Sequence, residues 1–153
     1  MLLIDSHIHV GQFNSFYISP IDLSQLMNKI GVDYYAVSST TICDEDYKKV
    51  LSEIYELIRL DGEKVLPVMW ITPEGLKGNI AWFLESNIPW RCLKIHPYLH
   101  PDGWKPDGEL VQEVIDIARE LSLPLLIHTG NESYCCASRF EELYQLNPDI
   151  TVI

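Results

Sequence analysis

Two histidines lie two residues apart near the start of the chain, in the run IDSHIHVG. Successive side chains of a β-strand point to opposite faces, so His7 and His9 share one face of an extended segment. Neighbouring imidazoles on a pleated strand can converge on one metal ion, because zinc binds histidine nitrogens at about 2.0–2.1 Å. The pair therefore predicts a metal site at the end of a first strand.

A third histidine closes a second apolar run, LPLLIHTG, at His128. It occupies the same position in its run as His9 does in the first, and a glycine follows each site, at Gly11 and Gly130. The carboxyl ends of parallel strands meet at one edge of a sheet or at one mouth of a barrel. We therefore predict that His128 supplies a third metal ligand.

The run RCLKIHP places Lys94 and His96 on one face of a further strand. These two residues are the predicted catalytic residues. We expect Lys94 to contact substrate or to form an internal charge pair, and His96 to bind substrate or orient a water. Asp5 shares the face of the first two histidines but lies deeper, which favours a supporting role.

Three further side chains lie near the predicted strand ends. Trp70 and Trp104 are interpreted mainly as packing residues, with a pocket wall and a lid as the alternatives. His100 follows its strand in the loop PYLHPDGW and is interpreted as an exposed or lid residue.

The elements that must position these residues are short, nearly continuous apolar runs, as in strands buried on both faces. They cover residues 2–9, 33–40, 64–71, 91–97, 123–129 and 149–153. Helical periodicity falls between them. One predicted helix starts near Asp44 and ends before Gly62, and another begins after Asp107. Shorter helices are predicted at 21–30, 75–86 and 138–146.

Alternating strands and helices indicate parallel strands with right-handed crossovers, in an open doubly wound sheet or in a closed barrel. No G-x-G-x-x-G turn follows a strand, which disfavours a dinucleotide-binding sheet. Polar residues instead end several strands, as in barrel enzymes. We therefore predict an α/β fold, a (β/α)8 TIM barrel. Residues 1–153 form the N-terminal part of that single domain and cover about the first five and a half units.

Composition limits the partners. The formal net charge is −11 and no basic stripe is present, which argues against nucleic acid and against anionic membranes. No secretory signal or long apolar run is found, so a cytoplasmic protein is expected. The four cysteines form no C-x-x-C pair and are expected to be free thiols.

The motifs IDSHIHVG, CLKIHPYLH, LPLLIHTG and NPDITVI together resemble the amidohydrolase superfamily, within it the amidohydrolase-related branch of metal-dependent hydrolases and decarboxylases. The resemblance covers the whole chain. It implies a barrel with His7, His9 and His128 as ligands of a divalent metal. Zinc is the favoured ion, with manganese and iron as alternatives. In some branches a carboxylated lysine bridges two metals, but in this branch such a role for Lys94 is disfavoured.

By resemblance, the protein is a metal-dependent hydrolase that acts on a small-molecule amide, ester or lactone. One alternative is a decarboxylase or hydratase of small carboxylic acids, and another is a non-catalytic partial barrel. A different metal phosphoesterase fold also begins with H-x-H, but it needs more histidines than the sequence has before His96.

The superfamily also implies a histidine ending the sixth strand and a proton-shuttling aspartate ending the eighth, both expected beyond Ile153. Eight units need roughly 250 residues, so the 153-residue chain is expected to be truncated. A further C-terminal segment or a homo-oligomer would complete the barrel. This segment by itself is expected to be inactive.

Overall fold

The computed structural model of the protein describes residues 1–78 and 80–153. They divide into two units. The first comprises Met1–Met69 and Ala81–Trp90, and the second comprises Trp70–Ile80 and Arg91–Ile153. The architecture is α/β with mostly parallel strand pairing, as the alternation of strands and helices predicted.

The strands are β1 (Ile4–Phe13), β2 (Phe16–Ile18), β3 (Tyr34–Ser39), β4 (Val65–Trp70), β5 (Cys92–Ile95) and β6 (Leu125–Ile127). The α-helices are α1 (Pro20–Ile30), α2 (Tyr47–Asp61), α3 (Pro73–Gly78), α4 (Ile80–Leu84), α5 (Glu109–Leu121) and α6 (Glu141–Leu146). Short 3-10 turns cover Thr40–Asp44, Gly62–Lys64 and Ala137–Phe140.

Several boundaries differ from the sequence prediction, and three of these differences lie at the first strand and at the starts of two helices. The first strand continues past His9 to Phe13, and β2 then pairs with it in antiparallel orientation, forming an unpredicted hairpin. Asp46 rather than Asp44 caps α2, because its carboxylate accepts the backbone N–H of Lys49 while Asp44 ends the 3-10 turn. Gly108 caps α5 in place of Asp107, without a side-chain hydrogen bond.

In the first unit β3 pairs in parallel with β1 and with β4. The register of β1 against β3 is irregular between Asp5 and Ile8, so simple alternation does not relate Asp5 to the two histidines. From Ile8 onward the alternation holds. Ile8 and Val10 turn into an apolar core with Tyr35 and Val37 of β3, which leaves the intervening His9 on the opposite face.

In the second unit β5 and β6 pair in parallel, with Leu93 opposite Leu125 and Ile95 opposite Ile127. The predicted sixth run lies beside β6. The N–H of Leu125 donates to the carbonyl of Thr151 at 2.8 Å, and Val152 forms a parallel bridge with Leu125. Helix α5 buries an i, i+3, i+4, i+7 stripe. The stripe consists of Val111, Val114, Ile115 and Ala118.

Within the described ranges every helix is too short or too polar to cross a bilayer. Cys92, Cys135 and Cys136 carry free thiols, as predicted for them. The cytoplasmic location stays a prediction.

A carboxylate at the end of α2 joins three elements of the first unit. Asp61 accepts hydrogen bonds from the Tyr35 hydroxyl at 2.6 Å, the Ser24 hydroxyl at 2.8 Å and the Asn28 amide at 3.0 Å. Burial raises the pKa of Asp61, but these three donors and the nearby Lys64 outweigh it and hold that pKa below its ordinary value. Burial of Tyr35 and its hydrogen bond to Asp61 raise the pKa of the Tyr35 hydroxyl.

Asp61→Asn is therefore expected to lower the free energy of unfolding by roughly 2 kcal/mol at pH 7, since hydrogen bonds to charged groups contribute most. The folded pKa lies below the unfolded one, so this stability is present above about pH 4 and is lost as the pH falls through the folded value. Urea unfolding of wild type and Asp61→Asn at pH 7 and pH 3 measures this difference in the free energy of unfolding. Glu63→Gln, at an exposed carboxylate nearby, is the control. A difference between Asp61→Asn and wild type that is equal at both pH values contradicts the assignment.

Candidate active site

The His7 and His9 side chains converge at the Nε2 atoms. These two nitrogens lie 3.1 Å apart, and the ring planes meet at 76°. His7 is exposed and His9 half-buried. The Asp5 carboxylate accepts the backbone N–H of His7 at 3.1 Å, so Asp5 contacts the strand backbone. The structure thus brings together the two histidines that the sequence paired.

The second nitrogen of His9 is held by β3. Its Nδ1 lies 3.0 Å from the Ser38 hydroxyl and 3.3 Å from the Ser38 carbonyl oxygen. A carbonyl oxygen only accepts, so we assign the hydrogen of His9 to Nδ1. The Nε2 lone pair of His9 then faces His7, whose Nε2–H donates to it when no metal is bound.

This arrangement suits a divalent metal. Two ligands at about 2.0–2.1 Å on a tetrahedral ion lie roughly 3.3–3.4 Å apart. The observed separation of the Nε2 atoms is 3.1 Å, so a small outward shift admits an ion between them. Metal-binding histidines also usually donate their other ring N–H to a carbonyl or carboxylate, as His9 does to Ser38.

The second unit holds a stack of three rings. His96 lies 3.8 Å from His128 and 5.2 Å from Trp70, measured between ring centroids, with interplanar angles of 13° and 16°. Backbone pairing explains it. The N–H of His128 donates to the carbonyl of Ile95, which continues the β5–β6 register by one residue. The N–H of Ile71 donates to the carbonyl of Lys94, which brings Trp70 alongside.

His96 is 8% exposed, and its Nδ1 is buried with no hydrogen-bond partner among the residues described. Burial lowers the pKa of His96 to about 3, helped by His128 and the charge of Lys94. Burial, then Lys94, also lowers the pKa of His128. Both imidazoles are therefore neutral at pH 7, which is the form that binds metals.

Lys94 is fully buried, with its Nζ 4.1 Å from the centroid of the Trp70 ring. Trp104 is 1% exposed, which supports packing over a lid role. His100 was predicted to be an exposed or lid residue, and it is half-buried, with Nδ1 4.0 Å from the Glu74 carboxylate.

Within the described residues, no group of three or more His, Cys, Asp or Glu side chains is arranged to hold a metal ion. The joint metal role of His7, His9 and His128 stays a prediction, as do the catalytic roles of Lys94 and His96.

Sequence reasoning missed Ser38 and the stacking of Trp70. Ser38 carries no motif, because its contact with His9 depends on the β1–β3 register. The ring stack did have a signal. The runs LKIH and LLIH match at three of four positions, and parallel pairing in register puts His96 beside His128.

No family model matches the chain, and no curated protein matches its sequence. Among solved structures, the chain is similar to a dihydroorotase from Campylobacter jejuni, with a TM-score of 0.54 and 15% sequence identity. The alignment covers 98% of this chain and 45% of that chain, so the protein spans less than half the length of this neighbour. At this identity the likeness shows the fold alone, an α/β fold that resembles a TIM-barrel enzyme.

Proposed function

We propose that the protein is a metal-dependent hydrolase of the amidohydrolase superfamily, acting on a small-molecule amide, ester or lactone. The observation that carries the proposal is the convergence of the His7 and His9 Nε2 atoms, with the Nδ1 of His9 held by Ser38. The fold likeness supports it, because dihydroorotase is a hydrolase of this superfamily.

His7, His9 and His128 would hold a divalent metal, with zinc favoured over manganese or iron. When bound, such an ion would lower the pKa of a coordinated water to about 7 and polarise the substrate carbonyl.

His96 and Lys94 act on the substrate side of this proposal. Neutral His96 offers a hydrogen-bonding nitrogen, Nδ1, that no described residue uses. Trp70 covers one face of its ring and excludes water there. Lys94 adds a desolvated positive charge, which stabilises negative charge on a substrate more strongly than an exposed lysine does.

That buried charge also favours a second candidate, a decarboxylase or hydratase of a small carboxylic acid, since a carboxylate is the natural partner of a desolvated ammonium.

One experiment separates these functions. The purified natural protein is analysed for bound zinc, manganese and iron, and is then assayed on cyclic amides, esters, lactones and small carboxylic acids. We expect about one equivalent of metal and hydrolysis of one of the first three classes. Release of carbon dioxide or addition of water to a carboxylic acid supports the second candidate. Less than about a tenth of an equivalent of metal, with no turnover, indicates a non-catalytic module.

Lys94→Met is expected to lower kcat/KM by about 100-fold, the usual cost of one lost stabilising donor. Urea unfolding of Lys94→Met is measured alongside, so that a loss of activity in a folded variant is distinguished from a loss of stability. Lys77→Met, at an exposed position on α3, is the control. Unchanged kcat/KM in Lys94→Met contradicts the catalytic role.

A further inference from the structure

Four consecutive residues with hydroxyl side chains, the run SSTT at residues 38–41, form the end of β3 and the start of the turn that follows it. Three of them bond to β1. Ser38 holds the Nδ1 of His9, the Thr40 hydroxyl donates to the Val10 carbonyl at 3.0 Å, and the Thr41 hydroxyl accepts the N–H of Gln12 at 3.1 Å. The run therefore holds the part of β1 that begins at His9.

A buried carboxylate anchors the same run. Glu53 of α2 is 3% exposed, and its carboxylate accepts the Ser39 hydroxyl at 2.5 Å and the Thr41 hydroxyl at 3.0 Å. Lys49 lies 4.0 Å away as the nearest cation among the described residues. Tyr17 is also hydrogen-bonded to Glu53, and burial together with this bond raises the pKa of Tyr17 to about 12.

The backbone of β1 lies directly against this cluster at Gly11. A Cβ at Gly11 would lie 2.4 Å from the Thr41 hydroxyl oxygen and 2.8 Å from a Glu53 carboxylate oxygen. Gly11 has a φ of +99°, a conformation that favours glycine. The Thr41 hydroxyl and the Glu53 carboxylate therefore occupy the space that the Cβ of any other residue at position 11 would fill.

Ser39 links the anchor to the histidine. Its hydroxyl donates to Glu53 and accepts the N–H of Thr41, and its neighbour Ser38 holds His9. Ser38 and Ser39 are joined by one peptide bond, so a displacement of Ser39 would also move Ser38. A buried carboxylate that accepts several hydrogen bonds is a strong fixed point, because the loss of a partner leaves a buried polar group unsatisfied.

We propose that Glu53 is a positioning residue for the histidine pair. Through Ser39 and Thr41 it fixes residues 38–41 against β1, and so keeps the His9 ring in the Nδ1–H form with Nε2 presented beside His7. The inference rests on the proposed metal role of these two histidines, but the orientation of His9 is measurable without any metal.

The test compares Glu53→Gln and Ser39→Ala with wild type. Glu56→Gln is the matched control, because it removes a surface carboxylate on the same helix, where Glu56 pairs with Arg59. Long-range ¹H–¹⁵N NMR of the metal-free protein reports which His9 nitrogen carries the hydrogen. Competition with a chelator then measures the affinity for Zn²⁺, and urea unfolding measures stability. Ser39→Ala keeps the carboxylate and provides the test if Glu53→Gln does not fold.

We expect the Nδ1–H form of His9 to predominate in wild type and Glu56→Gln, and a mixture of both forms in the two test variants. Zn²⁺ affinity is expected to fall about 10–100-fold in those variants, as for other residues that orient a metal ligand. Folded variants with the wild-type His9 form and wild-type Zn²⁺ affinity would overturn the inference, leaving Glu53 a stabilising residue only. If wild type binds no Zn²⁺, the proposed function fails, and the His9 form alone decides the role of Glu53.

Discussion

Replacing His9 by alanine is expected to remove bound metal from the purified protein and to lower its affinity for Zn²⁺ by more than about 100-fold. Residues that only orient a ligand cost about 10–100-fold, and the loss of a ligand should exceed that. His9 is the better held of the two histidines, because Ser38 fixes its ring while Nε2 faces His7. His7→Ala is expected to act in the same direction.

The measurement is metal content after extensive dialysis, followed by chelator competition. His100→Ala is the matched control, because His100 is a histidine outside the predicted ligand set, near Glu74. Stoichiometric metal in both His7→Ala and His9→Ala, at wild-type affinity, would refute the proposed site. Loss of metal in His100→Ala as well would show that the effect is not specific to the pair.

Gly11→Ala is expected to lower the free energy of unfolding by about 3–4 kcal/mol. A non-glycine residue held at positive φ costs roughly 1–3 kcal/mol, and overpacking a filled space adds a similar amount. Here the Cβ would meet the Thr41 hydroxyl at 2.4 Å and the Glu53 carboxylate at 2.8 Å. Both groups are hydrogen-bonded inside the unit and neither can move without losing a partner.

Gly31→Ala separates the two contributions. Gly31 also has a positive φ, +74°, at the C-cap of α1, but a Cβ added there would have no described atom within 4 Å. The substitution should therefore cost only the backbone strain, about 1 kcal/mol. Urea unfolding of the two variants gives the difference. Equal losses would mean that Glu53 and Thr41 yield easily and that Gly11 is required for its φ alone.

Local patterns along the chain were sufficient for much of the fold. The apolar periodicity after Asp107 predicted that α5 is a helix, because a helix repeats every 3.6 residues whatever it packs against. The spacing of His7 and His9 predicted that their rings lie close together, and they do so although the β1–β3 register shifts between Asp5 and Ile8. The start of α2 was placed too early because Asp44 and Asp46 are both residues that commonly cap a helix.

The sequence by itself determined the alternating α/β pattern, the histidine pair and the strand ends at which Lys94, His96 and His128 lie. Only the tertiary structure decided that Ser38 orients His9, that Trp70 stacks on His96 and that the Glu53 carboxylate fills the space beside Gly11. The physical reason is the separation along the chain of the residues that interact. Periodicity is set by neighbours a few residues apart, whereas these contacts join residues far apart in the chain, through strand registers and helix placements that no local pattern encodes.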